Sequence, residues 1–297
     1  MVSRGSIAQR NGAGGNRLTA FMPARGRLMT RSGILPRRYV GVMAAVFLAV
    51  GGVSAVPAIA RAATPLTVVT IQFDDGNADV FQWLGPLNNH GFPATFYVNS
   101  GTINTAGHLS WAQLTSLVQA GNEIGSHTIN HVDIKKLKLA DARFQVCQDR
   151  VNLLNHGIMA ESFAYPFGSF NSTVETQVVQ YCGDNSGRGV SGVNDKSVFA
   201  ETIPPLDPYA TRTPADPKQG TTVATIEGYV TAAEQNGGGW VQLTFHHICT
   251  SCDAYSITLT NMQALLDWLS TQVANGSVAV RTTEQVIGGT FVPPFCC

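Results

Sequence analysis

Three short clusters in the chain carry residue types suited to catalysis. Asp74-Asp75-Gly76 sets adjacent carboxylates before a glycine, His127-Thr128-Ile129-Asn130-His131 spaces two imidazoles four residues apart, and His246-His247 places two more together. Two histidines at i and i+4 lie on one face of a helical turn, and a carboxylate from another strand completes a facial set of two nitrogens and one oxygen. Such a set leaves positions open for water and substrate. Alone, the His pair fits a solvated turn better than a ligand pair, and Asp-Asp-Gly fits a plain strand-end turn. Together they point to metal-assisted hydrolysis.

The elements that must position these clusters alternate in type. Leu66–Phe73 is β-branched and apolar, the pattern of a buried strand, and Asp74-Asp75-Gly76 closes it. Val80–Asn89 reads as a helix stopped by Gly91 and Pro93, and Ala94–Val98 as a second strand. Trp111–Ala120 is a helix capped by Ser110 and ended by Gly121, and Ile124 belongs to a short third strand just before His127. Asp141–Asn155 is a long helix, Ser162–Tyr165 a short strand, and Ser172–Tyr181 a helix. Gly183–Pro217, rich in Gly, Pro and Asp, reads as a long loop over the site. Helix Val223–Gln235, strand Trp240–Phe245 ending at His246-His247, helix Asn261–Ala274 and strand Val278–Val280 follow. Alternation of this kind implies parallel strands with helices outside, and the length suits one distorted α/β barrel, a single-domain (β/α) barrel of about seven strands. In such barrels the reactive groups gather where strands end.

On these residues the chain resembles the polysaccharide deacetylase family, carbohydrate esterase family 4. The family's T-F-D-D-G motif appears as Gln72-Phe73-Asp74-Asp75-Gly76, and its H-[ST]-x-x-H motif is matched by His127 to His131. The Ala94–Val98 strand and the Gly121–Ser126 approach fit as well, and the likeness runs from about Leu66 to Ile287 in the family's motif order. The resemblance implies that Asp75, His127 and His131 hold a divalent metal and that Asp74 is the general base. Zinc is the default for this donor set, with cobalt or nickel also accommodated. The family pattern R-x-P-[YF]-G appears as Ala164-Tyr165-Pro166-Phe167-Gly168, with Phe167 implied as the backbone oxyanion donor and Ala164 standing where the family's base-orienting Arg is expected. Arg212 is a candidate replacement for that guanidinium, and Asp195 for the Asp of the family's fourth motif. Leu243-Thr244-Phe245-His246 resembles the fifth motif and implies His246 as general acid, with His247 as the alternative. Tyr165, Phe167 and Trp111 are candidates to line a sugar cleft or to be core; His90, His108 and His156 read as structural.

Residues 1–63 form a basic and apolar segment. Nine Arg and no Asp, Glu or Lys occur between Arg4 and Arg61, and Arg37-Arg38 precede the uncharged run Tyr39–Ala60. Small residues at its end, Ala58-Ile59-Ala60 and Ala60-Arg61-Ala62, suit signal cleavage, so the segment reads as an export signal, with an uncleaved anchor as the alternative. The Arg pair hints at twin-arginine export, and Met29 offers a second start. The remaining 64–297 would be the catalytic domain of a secreted protein. Setting the nine Arg aside leaves ten basic against 19 acidic residues, about −9, which disfavours a nucleic-acid partner and suits a neutral glycan. No stable membrane partner is expected once the signal is removed.

Six cysteines in an exported chain favour disulfides, with Cys147–Cys182 and Cys249–Cys252 the preferred pairs. The Cys-x-x-Cys is also open to zinc binding or thiol redox chemistry. The composite expectation is a metal-dependent deacetylase acting on the N-acetyl groups of a GlcNAc-containing polymer such as chitin or peptidoglycan. Its rivals are an O-acetyl xylan esterase on the same centre, a glycan-binding relative that has lost catalysis, and a thiol–disulfide protein.

Overall fold

The computed structural model describes residues 66–193 and 197–294. The expected export segment and Asp195 lie outside them. No helix among the described residues is long and apolar enough to cross a membrane.

The elements run in the order β1 (Thr67–Phe73), α1 (Leu84–His90), β2 (Ala94–Val98), α2 (Trp111–Gln119), β3 (Glu123–Ser126), α3 (Leu139–Leu154), β4 (Ser162–Ala164) and α4 (Ser172–Val174). Then come β5 (Ser186–Gly192), β6 (Thr211–Thr213), α5 (Val223–Gln235), β7 (Gly239–Phe245), β8 (His247–Ile248) and β9 (Ser256–Ile257). The chain ends through α6 (Leu259–Ala274), β10 (Val278–Val280) and α7 (Thr283–Ile287). Seven strands form a curled parallel sheet in the order β7-β1-β2-β3-β4-β5-β6, and β10 pairs with the first half of β1. Between β6 and β7 no ladder forms among the described residues; Gln242 Nε2 instead donates to the carbonyl of Arg212 at 3.0 Å. The expected distorted barrel is what folds.

Helix starts follow the sequence closely. Ser110 caps α2 in a reciprocal box with Gln113, while Thr222 and Thr258 cap α5 and α6. Two expectations shift. The region before α1 opens as a 3-10 turn over Ala78–Trp83, and the helix expected over Ser172–Tyr181 is one α turn continued as a π segment, Glu175–Val179. A larger correction concerns Gly183–Pro217, which is not one loop but contains β5 and β6. The Cys147–Cys182 disulfide ties α3 to the residues just before β5, as expected, with Cα atoms 4.8 Å apart.

Period-two alternation sorts the strand residues between two layers. Val69, Ile71 and Phe73 of β1, Phe96 and Val98 of β2, and Val241, Leu243 and Phe245 of β7 pack with Leu265, Leu266 and Leu269 of α6 in the apolar core. Their alternates face the other way and form a buried polar lattice. Gln72 Nε2 donates to Gln242 Oε1 at 2.9 Å and to Thr283 Oγ1 at 3.1 Å, Thr244 Oγ1 to Gln72 Oε1 at 3.2 Å, and Trp240 Nε1 to Thr70 Oγ1 at 2.8 Å. Thr95 Oγ1 donates to Glu123 Oε2 at 2.9 Å, and Ser162 Oγ donates to Glu123 Oε1. Burial pushes the Glu123 carboxyl above its ordinary range. Extending the same alternation past the strand ends brings Asp74 after Gln72, His127 after Gly125, and His246 after Thr244 onto this inner face. Their strands are parallel, so all three arrive at one end of the barrel.

Candidate metal and hydrolytic site

Asp75, His127 and His131 converge as the spacing predicts. Asp75 Oδ1 lies 3.4 Å from His127 Nε2 and 3.3 Å from His131 Nε2, and ligand atoms of the three residues all fall within 4.8 Å of one another. Ligands about 2.0–2.1 Å from a tetrahedral ion sit roughly 3.3 Å apart, so these edges fit one small cation. Asp75 Oδ1 is buried and has no hydrogen-bond partner, although the imidazoles face it. Both the donor chemistry and the spacing therefore suit a divalent metal.

The surrounding chain fixes each ligand. His127 Nδ1 lies 2.7 Å from the carbonyl of Ala164, an acceptor only, so Nδ1 carries the hydrogen and Nε2 is left to face Asp75. Asp149, buried in α3, accepts from the backbone N–H of His127 at 3.1 Å and from Ser126 Oγ at 2.7 Å. The expected helical turn is absent. Residues 127–131 form an irregular loop with left-handed backbone at Thr128 (φ 69) and His131 (φ 52). Asn99 Nδ2, donating to the carbonyls of His127 and Thr128, compensates that strain. Asp75 (φ 70) and Phe167 (φ 60) are also left-handed, so backbone strain gathers at this site.

Charge follows geometry. Burial works to raise the Asp75 carboxyl, but His127 and His131 facing it outweigh burial and hold it well below the usual carboxylate range. Burial works to lower His127, yet the Asp75 and Asp74 carboxylates bring it above its ordinary value. His131 sits below its ordinary value, first through burial and then through the nearby His127 charge.

Asp74 meets Arg188. Its two oxygens each lie 2.6 Å from Arg188 Nη2, and both side chains are buried. Arg188 stands in β5 in direct register with Ala164 of β4, so the guanidinium expected at position 164 comes from the neighbouring strand. Arg212 does not supply it; its guanidinium and backbone N–H are bound by the Glu201 carboxylate. Sequence reading missed Arg188 because Ser186-Gly187-Arg188-Gly189 lacks the apolar signature of a strand. The glycines are required by packing, since a Cβ at Gly187 would strike the Tyr165 hydroxyl and one at Gly189 would lie 2.8 Å from the Phe170 ring.

A cavity of about 490 Å³ joins these groups, lined among others by Asp74, Asp75, His131, Arg188, Asp216 and His246. Tyr165, Phe167, Lys218 and Tyr255 contribute to its wall, with Phe167 66% exposed and its ring centroid 4.6 Å from that of His131 in an edge arrangement. Trp111 is not part of it and stacks on His156 at 3.6 Å. His246 enters the cavity, whereas His247 turns to Asp79 at 3.3 Å. Asp216, a second residue missed in the sequence, has its carboxyl pushed up to about 6, chiefly by burial and partly by Asp74, against the opposing charge of Arg188. Arg188 Nε, Asp216 Oδ1 and His246 Nδ1 join Asp75 Oδ1 as buried polar atoms without hydrogen-bond partners. Buried polar atoms are ordinarily paired, so such a concentration marks a place built to meet a ligand.

Residues 61–183, which carry Asp74, Asp75, His127, His131 and Phe167, match the family profile described as polysaccharide deacetylase. Residues 61–183 thus carry a polysaccharide deacetylase segment. The chain is 30% identical over 106 residues to a Bacillus subtilis protein named "Putative polysaccharide deacetylase YxkH", covering 35% of this chain and 38% of that protein. The chain thus matches less than half the length of the curated relatives it resembles. Among solved structures, the family 4 carbohydrate esterase from Streptomyces lividans aligns with a TM-score of 0.50 at 17% identity, over 78% of this chain and 100% of that one. The Bc1960 peptidoglycan N-acetylglucosamine deacetylase aligns with a TM-score of 0.51 at 14% identity, over 77% and 91%. At these identities the likeness establishes the fold.

Proposed function

We propose that the protein is a secreted, metal-dependent deacetylase that hydrolyses N-acetyl groups of a GlcNAc-containing glycan of the chitin or peptidoglycan type. The reading rests on one observation: Asp75, His127 and His131 share a single point beside a separately held carboxylate, Asp74, and an imidazole, His246, in one cavity.

Asp75, His127 and His131 would hold the ion, zinc by preference and cobalt or nickel by the same donor set. When bound, a divalent ion supplies polarisation of the acetyl carbonyl and lowers the pKa of an adjacent water. Asp74 accepts the proton of the attacking water, and Arg188 keeps that carboxylate oriented toward the cavity. The backbone N–H of Phe167 stabilises the charge that develops on the carbonyl oxygen. His246 delivers a proton to the departing nitrogen. An amine leaves only when protonated, whereas an ester alkoxide needs less help, so an acid placed inside the cavity favours the amide over the O-acetyl reading. The name of the peptidoglycan deacetylase that shares the fold supports the same substrate class. The signal-like head supports export.

The test is acetate release from N-acetyl chitooligosaccharide and peptidoglycan fragments beside acetylated xylan, before and after chelation. Release from the first two, abolished by chelator and restored by zinc, is expected. Release from xylan alone would replace this reading with an O-acetyl esterase, and binding without release from any substrate would make the protein a glycan-binding relative.

A further inference from the structure

A second constellation lies outside the proposed centre. Asp79, His247 and Cys252 offer ligand atoms that all fall within 4.8 Å of one another. Cys252 is bonded to Cys249. We propose that when this disulfide is reduced, Asp79, His247, Cys249 and Cys252 bind one zinc ion that staples the loop after β1 to the loop after β7.

The surroundings prepare these groups. Asp79 Oδ2 accepts from the backbone N–H of Ile248 at 2.9 Å, and both its oxygens lie 3.3 Å from His247 Nδ1, so carboxylate and ring already face one another. The backbone N–H of Cys252 points at Cys249 Sγ at 3.1 Å, a contact that favours a thiolate there. Ser251, in left-handed backbone at φ 61, turns the short Cys-x-x-Cys loop back on itself. Asp79 and His247 are each about one-quarter exposed (26% and 27%), which lets an ion enter and shed its waters. Two thiolates, one imidazole and one carboxylate make a closed four-donor set, the tetrahedral choice of zinc. The same two loops are already joined by Asn77 Nδ2 donating to the His246 carbonyl at 3.1 Å and Gln82 Nε2 to the Ile248 carbonyl at 3.2 Å. An ion here would therefore brace the strand end that carries His246.

The chemistry balances with a dithiol as reductant. A small dithiol breaks the Cys249–Cys252 bond, supplies two electrons and two protons, and closes to its own cyclic disulfide; both cysteines become thiols. Zinc binding then releases the two thiol protons to solvent. The inference does not rest on the deacetylase reading, because its readout comes from sulfur ligands that Asp75, His127 and His131 lack.

The test is titration of the full chain with Co²⁺, first oxidised and then after dithiol reduction and removal of the dithiol. The reduced protein is expected to take up one more Co²⁺ per chain than the oxidised protein, with a near-ultraviolet thiolate-to-cobalt absorption band that Zn²⁺ abolishes. The double variant Cys249→Ser/Cys252→Ser removes the band. His247→Ala, which leaves the disulfide intact for folding, weakens Co²⁺ at this site by about tenfold or more, since even outer partners of a ligand are commonly worth ~10–100-fold. Absence of the band in reduced wild type, its persistence in Cys249→Ser/Cys252→Ser, or wild-type affinity in His247→Ala would each overturn the proposal.

Discussion

Arg188 Nη2 lies 2.6 Å from each oxygen of Asp74, joining residues 114 positions apart in a buried pair. This contact holds a cavity carboxylate apart from the Asp75–His127–His131 cluster, as the proposed division of roles between Asp74 and Asp75 requires. Arg188→Ala is expected to lower kcat by about 10²-fold or more through loss of the oriented base, with metal content unchanged. It should also cost about 3–5 kcal/mol of stability, because an unpaired buried charge is left behind. Arg212→Ala should leave kcat unchanged. Steady-state kinetics, metal analysis and denaturant unfolding of the two variants check this.

Asp74 and His127 should separate chemistry from metal binding. Asp74→Asn is expected to retain the ion and lose about 10²–10⁴-fold in turnover. His127→Ala is expected to lose both ion and activity. Equal metal loss in the two variants would contradict the division of roles.

His246 and His247 occupy opposite sides of the chain, one in the cavity and one against Asp79. His246→Ala should depress hydrolysis of an N-acetyl substrate by about 10²–10⁴-fold while reducing an aryl acetate, with its good leaving group, far less. His247→Ala should leave the ratio between the two substrates unchanged. Parallel assays on the two substrates decide it.

Asp216 sets a pH dependence. Burial pushes its carboxyl from 3.8 up to about 6. As pH rises through about 6, Asp216 ionises inside the cavity beside Asp74 and Arg188, so kcat/KM should show a limb near pH 6 that Asp216→Asn removes. The stability consequence has a definite sign. A carboxyl raised in the folded state holds its proton more tightly there, so its contribution is complete below about pH 4 and lost as pH climbs through about 6. Asp216→Asn should therefore raise Tm at pH 8 but not at pH 4, as thermal scans at both values would show.

Much of the site was legible because short motifs sit at the ends of parallel strands. Gln72-Phe73-Asp74-Asp75-Gly76 and His127 to His131 place reactive side chains by strand alternation alone, and His246 follows from β7 in the same way. What escaped depended on contacts between distant segments. Arg188 hides in a glycine-spaced strand whose composition is dictated by the rings of Tyr165 and Phe170, not by burial of its own side chains. Arg212 is a loop-edge residue in the sequence, and only folding reveals that Glu201 binds it. The helical turn inferred from His127 and His131 fails because the loop bonds to Asn99 and Gln145 instead of to itself. Trp111 likewise finds His156, a residue 45 positions away in sequence, and not the cavity.

Gly187 offers a test of that packing. Gly187→Ala places a methyl against the Tyr165 hydroxyl and should destabilise the protein by about 1–3 kcal/mol, as overpacking does. Because β5 carries Arg188, activity should fall with it. Unchanged unfolding in denaturant would mean that β4 and β5 do not approach as closely as described.

The central claim is a single divalent ion held by Asp75, His127 and His131. Anomalous diffraction at the zinc edge, from crystals of fully oxidised protein equilibrated with Zn²⁺, tests it most directly. The predicted result is one strong peak within bonding distance of Asp75 Oδ1, His127 Nε2 and His131 Nε2. A zinc-equilibrated crystal with no peak there, or with these side chains turned apart, would contradict it.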